Sequence, residues 1–186
     1  MDKPKIIHNF ISEQDISNVI NYIDLNIEAF NKEEDAKNYT QRFGKDRAYP
    51  DSRHLEEFDD DIKSLITKYS DLFVKECKYA FNDENVYPSE FWFNKRLPKT
   101  PGRLHTDVDD GFNLQLNYSG VIYLNTLEDN GHLIFPNIPF TYTPNSGDLV
   151  IFPSSGKTFI HSIASNNEDR YACLLWSTND EKYRLF

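Results

Sequence analysis

Residues 156–176 read GKTFIHSIASNNEDRYACLLW, two strand-like runs around the polar turn SNNED. In the first run, the two-residue period of a strand puts His161 on one face with Phe159 and Ile163. An imidazole among apolar neighbours needs a hydrogen-bond partner or a metal, because a buried polar group left unsatisfied is costly. In the second run Arg170, Ala172, Leu174 and Trp176 share a face, so a permanent positive charge lies along the same side as apolar side chains. Two readings are open for Arg170: a solvated strand end, or a receptor for a carboxylate.

Upstream stand further short runs, SEFWFN, LQLNYSGVIYLN, HLIFPN and DLVIFP, separated by Asp110-Gly111, Asn130-Gly131, PNSGD and PSSG. Many short strands with regular turns predict a sandwich, a barrel or a jelly roll. Before them the period changes. Ser12, followed by Glu13, Gln14 and Asp15, reads as an N-cap with acids in the first turn, and Ile16, Val19, Ile20, Ile23, Ile27 and Phe30 recur at helical spacing. A second helix is carried by Ile62, Leu65, Ile66, Tyr69, Leu72, Phe73, Cys77 and Ala80, with the acids of EEFDDD at its positive end. Residues 31–56 are polar and weakly periodic, which predicts a long loop that could cover something. The expected fold is α+β, mainly β: a helical N-terminal layer over about residues 1–85 and a jelly-roll core over about 86–178, in a single domain 1–186 without repeats or linkers.

The chain has 186 residues, 39% of them hydrophobic, enough for one sizeable core. Its formal charge of −10 and the lack of a basic stripe argue against a nucleic-acid partner. No apolar run approaches a membrane span and the start MDKPKIIHNFISEQD lacks a secretion-signal core, so a cytoplasmic location is expected. Cys77 and Cys173 show no metal or redox spacing and read as buried thiols.

A second stretch, PGRLHTDVDDGFNLQ at 101–115, sets His105 two residues before Asp107. In an extended segment both side chains point to one face, where imidazole and carboxylate can grasp one ion. His161 is the leading third ligand, and two histidines with one carboxylate make the facial triad of non-haem Fe(II) sites, which leaves open positions. Other motifs fail: the acids after Asp107 do not complete a calcium loop, and GKT at Gly156 lacks the rest of a phosphate loop. His132 could be a decoy ligand, and His8 and His54 have no constellation around them.

Taken in order over residues 91–176, HTD, GVIYLN, GHLIFPN, PNSGDLVIFPSS, IHSI and RYACLLW form a series that resembles the Fe(II)/2-oxoglutarate-dependent dioxygenases, in their prolyl 4-hydroxylase-like branch. The resemblance implies a double-stranded β-helix, a cupin-like jelly roll, with His105, Asp107 and His161 as iron ligands. It implies Arg170 as the salt-bridge partner of the distal carboxylate of 2-oxoglutarate, with Tyr123 hydrogen-bonded to the same group. O2 is then the second cosubstrate, and ascorbate is admitted as a reductant. The implied reaction hydroxylates a C–H bond of a prolyl residue in a peptide or protein, or of a free amino acid or other small molecule, and releases succinate and CO2. Trp176 is then a wall of the substrate pocket and the loop from Arg42 to His54 a lid. Asp107 disfavours a halogenase, in which a small residue takes that place. Departures from the pattern are His132 after Gly131, Asp169 before Arg170, and Leu174. A noncatalytic jelly-roll module that binds a metal or ligand, and a cupin-type metal isomerase, are the alternative readings.

Overall fold

The structure is a computed structural model, which describes residues 3–30, 47–48, 58–99, 102–108, 113–128 and 130–186. The elements in chain order are β1 (Lys5–Ile7), α1 (Glu13–Phe30), β2 (Arg47–Ala48), α2 (Asp60–Phe81), β3 (Tyr87–Arg96), β4 (Leu116–Tyr123), β5 (Leu133–Phe135), β6 (Phe140–Tyr142), β7 (Leu149–Pro153), β8 (Ser162–Ile163) and β9 (Arg170–Thr178). Both helices start as their sequences dictate. The Ser12 hydroxyl accepts from the Asp15 N–H at 3.2 Å, and the Asp59 carboxylate accepts from the Ile62 N–H at 2.9 Å. Helix α2 stops at Asn82, which takes the left-handed conformation and donates its N–H to the Lys78 carbonyl.

Six strands form one antiparallel sheet in the order β1-β7-β4-β9-β3-β2, and three form a second in the order β6-β5-β8. Residues 102–105 run alongside β8, with Gly102 N–H bonded to the Ile163 carbonyl and His105 bonded both ways to His161. Counting that segment, β3, β9, β4 and β7 face 102–105, β8, β5 and β6, four strands against four, the jelly-roll arrangement.

Strand alternation divides the core in two. Phe91, Phe93, Ile122, Leu149, Ile151, Cys173 and Leu175 turn to the helices and meet Val19, Ile23, Ile66 and Phe73. Val121, Tyr123, Val150, Phe152 and Ala172 turn the other way, onto Leu133, Phe135 and Tyr142 of the smaller sheet. The helix-side packing is close: a Cβ on Gly120 would lie 2.6 Å from Cε2 of the fully buried Phe73. Gly120→Ala should therefore lower stability by about 1–3 kcal/mol, read as an earlier urea midpoint with an unchanged slope.

Two differences from the sequence expectation concern short elements. Strands β1 and β2 fall within the stretch read as a helical layer and pair with β7 and β3 at the two sheet edges. At two or three residues they carry no periodic signal. The run TFIHSIA is not one strand either: a 3-10 turn occupies Lys157–Phe159, and pairing begins only at His161. The loop expected to act as a lid lies, apart from Arg47–Ala48, outside the described residues. His8 acquires a structural role. Its Nδ1 donates to Oδ2 of the buried Asp148 at 2.8 Å, as does the Tyr142 hydroxyl at 2.8 Å, which ties the N-terminal strand to β6.

Candidate metal centre

Backbone pairing brings the two histidines together. His105 and His161 are directly opposed, with N–H to carbonyl bonds of 2.9 and 2.8 Å, so their side chains share a face and their rings lie 4.5 Å apart. Each ring is oriented in the same way, from two residues upstream. Nδ1 of His105 meets the Arg103 carbonyl at 2.7 Å and Nδ1 of His161 meets the Phe159 carbonyl at 3.0 Å. A carbonyl only accepts, so Nδ1 carries the proton and the lone pair is left on Nε2 in both rings.

Both Nε2 atoms approach Oδ1 of Asp107, at 3.5 Å from His105 and 4.0 Å from His161. One donor atom from each of the three residues falls within 4.8 Å of the others, and among the described residues this is the one such group of His, Cys, Asp or Glu side chains. The other carboxylate oxygen, Oδ2, accepts from the Ser119 hydroxyl at 2.5 Å, and Ser119 is in turn 2.8 Å from the Ser154 hydroxyl. The Val108 N–H to Ser154 carbonyl bond, 3.1 Å, fixes the chain just beyond Asp107. Phe135 and Phe152 wall His161, with ring centroids at 5.5 and 4.8 Å.

Burial pushes the Asp107 carboxyl upward, but the two histidines and the Ser119 hydroxyl outweigh it and bring the value to about 2. Burial depresses His161, with Asp107 pulling in the opposite direction. Both shifts give stability that is lost on acidification. Asp107 contributes fully above its ordinary 3.8 and loses that contribution as pH falls through about 2; His161 takes up its proton more readily when unfolded, so its contribution declines below 6.5. Metal-free protein should lose stability between about pH 7 and about pH 5, and His161→Asn should flatten that dependence in urea titrations. A wild-type profile that rises on acidification would contradict the assignment.

Further along the same inner face of the sandwich is a second polar group. The pairing of β4 with β9 sets Tyr123 opposite Ala172, and Asn125 clamps the strand start by accepting from the Tyr171 N–H at 2.9 Å and donating to the Asp169 carbonyl at 2.9 Å. Arg170 is thereby drawn inside at 0% exposure, its guanidinium carbon 5.0 Å from the Tyr123 ring centroid. Among the described residues its Nε, Nη1 and Nη2 have no hydrogen-bond partner, and neither has the Tyr123 hydroxyl. Burial raises the Tyr123 phenol above its usual value, with the Arg170 charge opposing, so the hydroxyl stays a donor. Gly131, at φ 63°, makes room for the buried Leu127: a Cβ there would lie 2.5 Å from Leu127 Cδ1, while Arg170 Cδ would be in ordinary contact at 3.8 Å. Along β4, Ser119 and Tyr123 are four residues apart on one face, roughly 13 Å.

Trp176 is half-buried, opposite Ser119 in the β4–β9 register, and packs edge-on against Trp92 with centroids 5.1 Å apart. His132 stands at the start of β5 and is not part of the cluster, and His54 lies outside the described residues. Cys77 and Cys173 are buried, and burial pushes both thiols up. Sequence reasoning did not single out Ser119, which the structure brings to Asp107. In β3 the alternation of SEFWFNKR sets Glu90, Trp92, Asn94 and Arg96 on one face against Phe91 and Phe93 on the other.

No family model matches the chain, and no curated protein matches it by sequence. Solved structures do match it. A viral collagen prolyl hydroxylase from Paramecium bursaria Chlorella virus-1, in complex with 2OG, superposes with a TM-score of 0.72 at 14% identity over 95% of this chain and 96% of that one. A prolyl-4-hydroxylase of Pseudomonas putida gives 0.67 at 14% identity over 94% and 91%. One from Phytophthora capsici gives 0.70 at 13% identity over 97% of this chain and 60% of that one. This chain has their fold. At these identities the likeness is one of architecture, so the chemistry rests on the side chains.

Proposed function

We propose that the chain is an Fe(II)- and 2-oxoglutarate-dependent oxygenase that hydroxylates a C–H bond, with a prolyl residue of a peptide or protein as substrate. The observation that carries the reading is a two-histidine, one-carboxylate cluster in the same sandwich as a buried arginine and tyrosine whose polar atoms lack partners among the described residues. The donor set suits a ferrous ion and leaves coordination positions for other ligands. A buried guanidinium without counter-charge destabilises the fold by several kcal/mol, and a carboxylate entering beside it offsets that.

Nε2 of His105 and His161 and Oδ1 of Asp107 would hold the iron. Arg170 would hold the distal carboxylate of 2-oxoglutarate through parallel N–H donors, and the Tyr123 hydroxyl would add a third bond without adding charge. When bound, iron and 2-oxoglutarate supply the oxidation of the C–H bond, with O2 consumed and succinate and CO2 released. Ser119 holds Asp107 in one orientation and keeps it anionic. Trp176 and Trp92 would give the substrate an apolar wall, suited to a pyrrolidine ring, and would exclude water. The similarity to three prolyl hydroxylase structures supports the prolyl assignment.

The test is a screen of proline-containing peptides with Fe(II), 2-oxoglutarate and O2, read by mass spectrometry and a succinate assay. A gain of one oxygen on proline, matched by succinate, is expected. Oxygen on another residue would redirect the substrate, and absence of succinate from iron-loaded, folded protein under every condition would contradict the class.

A further inference from the structure

We propose that Ser154 is a positioning residue of the metal centre: its hydroxyl donates to Ser119, the Ser119 hydroxyl donates to Asp107, and this directed pair sets how tightly the carboxylate holds a metal. The inference rests on the reading of His105, Asp107 and His161 as iron ligands given above. The direction follows from counting protons. A metal-ligating carboxylate only accepts, and a serine hydroxyl has one proton to give. Ser119 places its proton on Oδ2 of Asp107, 2.5 Å away. The 2.8 Å hydrogen bond between the two serine hydroxyls is therefore donated by Ser154. Both serines are shut off from bulk water, Ser119 at 2% exposure and Ser154 at 1%. In such surroundings consecutive hydrogen bonds polarise one another, so a Ser119 oxygen that accepts from Ser154 is a stronger donor to Asp107.

The main chain around Asp107 is held by other bonds. The Asp107 carbonyl accepts from Nδ2 of Asn113 at 3.2 Å, the Thr106 hydroxyl donates to the Val108 carbonyl at 2.6 Å, and the Val108 N–H donates to the Ser154 carbonyl at 3.1 Å. None of these touches the carboxylate. Its orientation is set by Ser119 on Oδ2, while Oδ1 faces the two Nε2 atoms. Ser154 is placed independently, just beyond β7, by its N–H bond to the Asn117 carbonyl at 2.8 Å. The β4–β7 register sets Ser119 opposite Phe152, the ring that walls His161. Both main-chain bonds of Ser154 survive loss of its hydroxyl, so Ser154→Ala removes the donor and leaves the backbone anchored.

A double-mutant cycle on metal affinity tests this chain of donors, read by anaerobic competition for Fe(II) between the protein and a chromophoric chelator. Ser154→Ala should weaken Fe(II) binding by roughly threefold to tenfold, a smaller loss than Ser119→Ala causes. In the Ser119→Ala background the same substitution should change Fe(II) affinity by less than about twofold, because the hydroxyl through which Ser154 acts is gone. Ser154→Thr, which keeps a hydroxyl, should return most of the affinity. Ser154→Gly, which also retains both main-chain bonds, replaces the alanine variant if that does not fold. Wild-type affinity in Ser154→Ala, or an equal loss with and without the Ser119 hydroxyl, overturns the role of Ser154, while the metal centre stands if Asp107→Ala loses Fe(II). A wild type that binds no Fe(II) overturns the centre itself.

Discussion

Arg170→Met should yield a protein that still takes up Fe(II), is more stable than the wild type without ligand, and no longer responds to 2-oxoglutarate at ordinary concentrations. The three effects come from one feature, a guanidinium at 0% exposure with all three nitrogens unpartnered among the described residues. Replacing such a charge by an apolar side chain of similar length removes a desolvation penalty, so unfolding free energy should rise by about 1–3 kcal/mol. The charge-assisted bonds to the cosubstrate vanish together, each of about 1.5–3 kcal/mol, so its apparent requirement should rise at least about a hundredfold. Thermal denaturation with and without 2-oxoglutarate reads both signs in one experiment. A variant that is destabilised and still binds the cosubstrate would show that Arg170 is a structural residue.

Asp107→Ala should lower succinate formation by at least about a hundredfold, since loss of one ligand displaces the reacting groups from their geometry. Its Oδ1 is the atom on which both Nε2 atoms converge, at 3.5 and 4.0 Å. Ser119→Ala is the graded comparison. It keeps the carboxylate and removes only its 2.5 Å hydrogen bond, so iron affinity should fall by about 10–100-fold, with turnover largely restored at high Fe(II). Equal activities of Asp107→Ala and wild type under matched iron loading would remove Asp107 from the centre.

The two helices and most of the β half were legible in the sequence because each follows a period, with helical recurrence through Phe73 and Cys77 and alternation through RYACLLW. The four long strands bury one residue set against the helices and the other inside the sandwich, and that division is written in alternate positions. Elements of two or three residues in the helical N-terminal part, β1 and β2, have no period to read and exist only through pairing with distant segments. The site was legible where a residue type was out of place for its surroundings, as with His161 and Arg170 in apolar runs. Ser119 escaped notice because serine near a turn is ordinary in sequence, and its part emerges only when β4 lies beside the segment that carries Asp107.

The most direct measurement of the central claim is anaerobic titration of Fe(II)-loaded protein with 2-oxoglutarate, followed by visible absorption. A weak charge-transfer band that saturates at one equivalent per chain, and that is missing from Arg170→Met at the same concentrations, is the predicted result. Stoichiometric iron binding without any such band, at cosubstrate concentrations well above those of the cell, would contradict it.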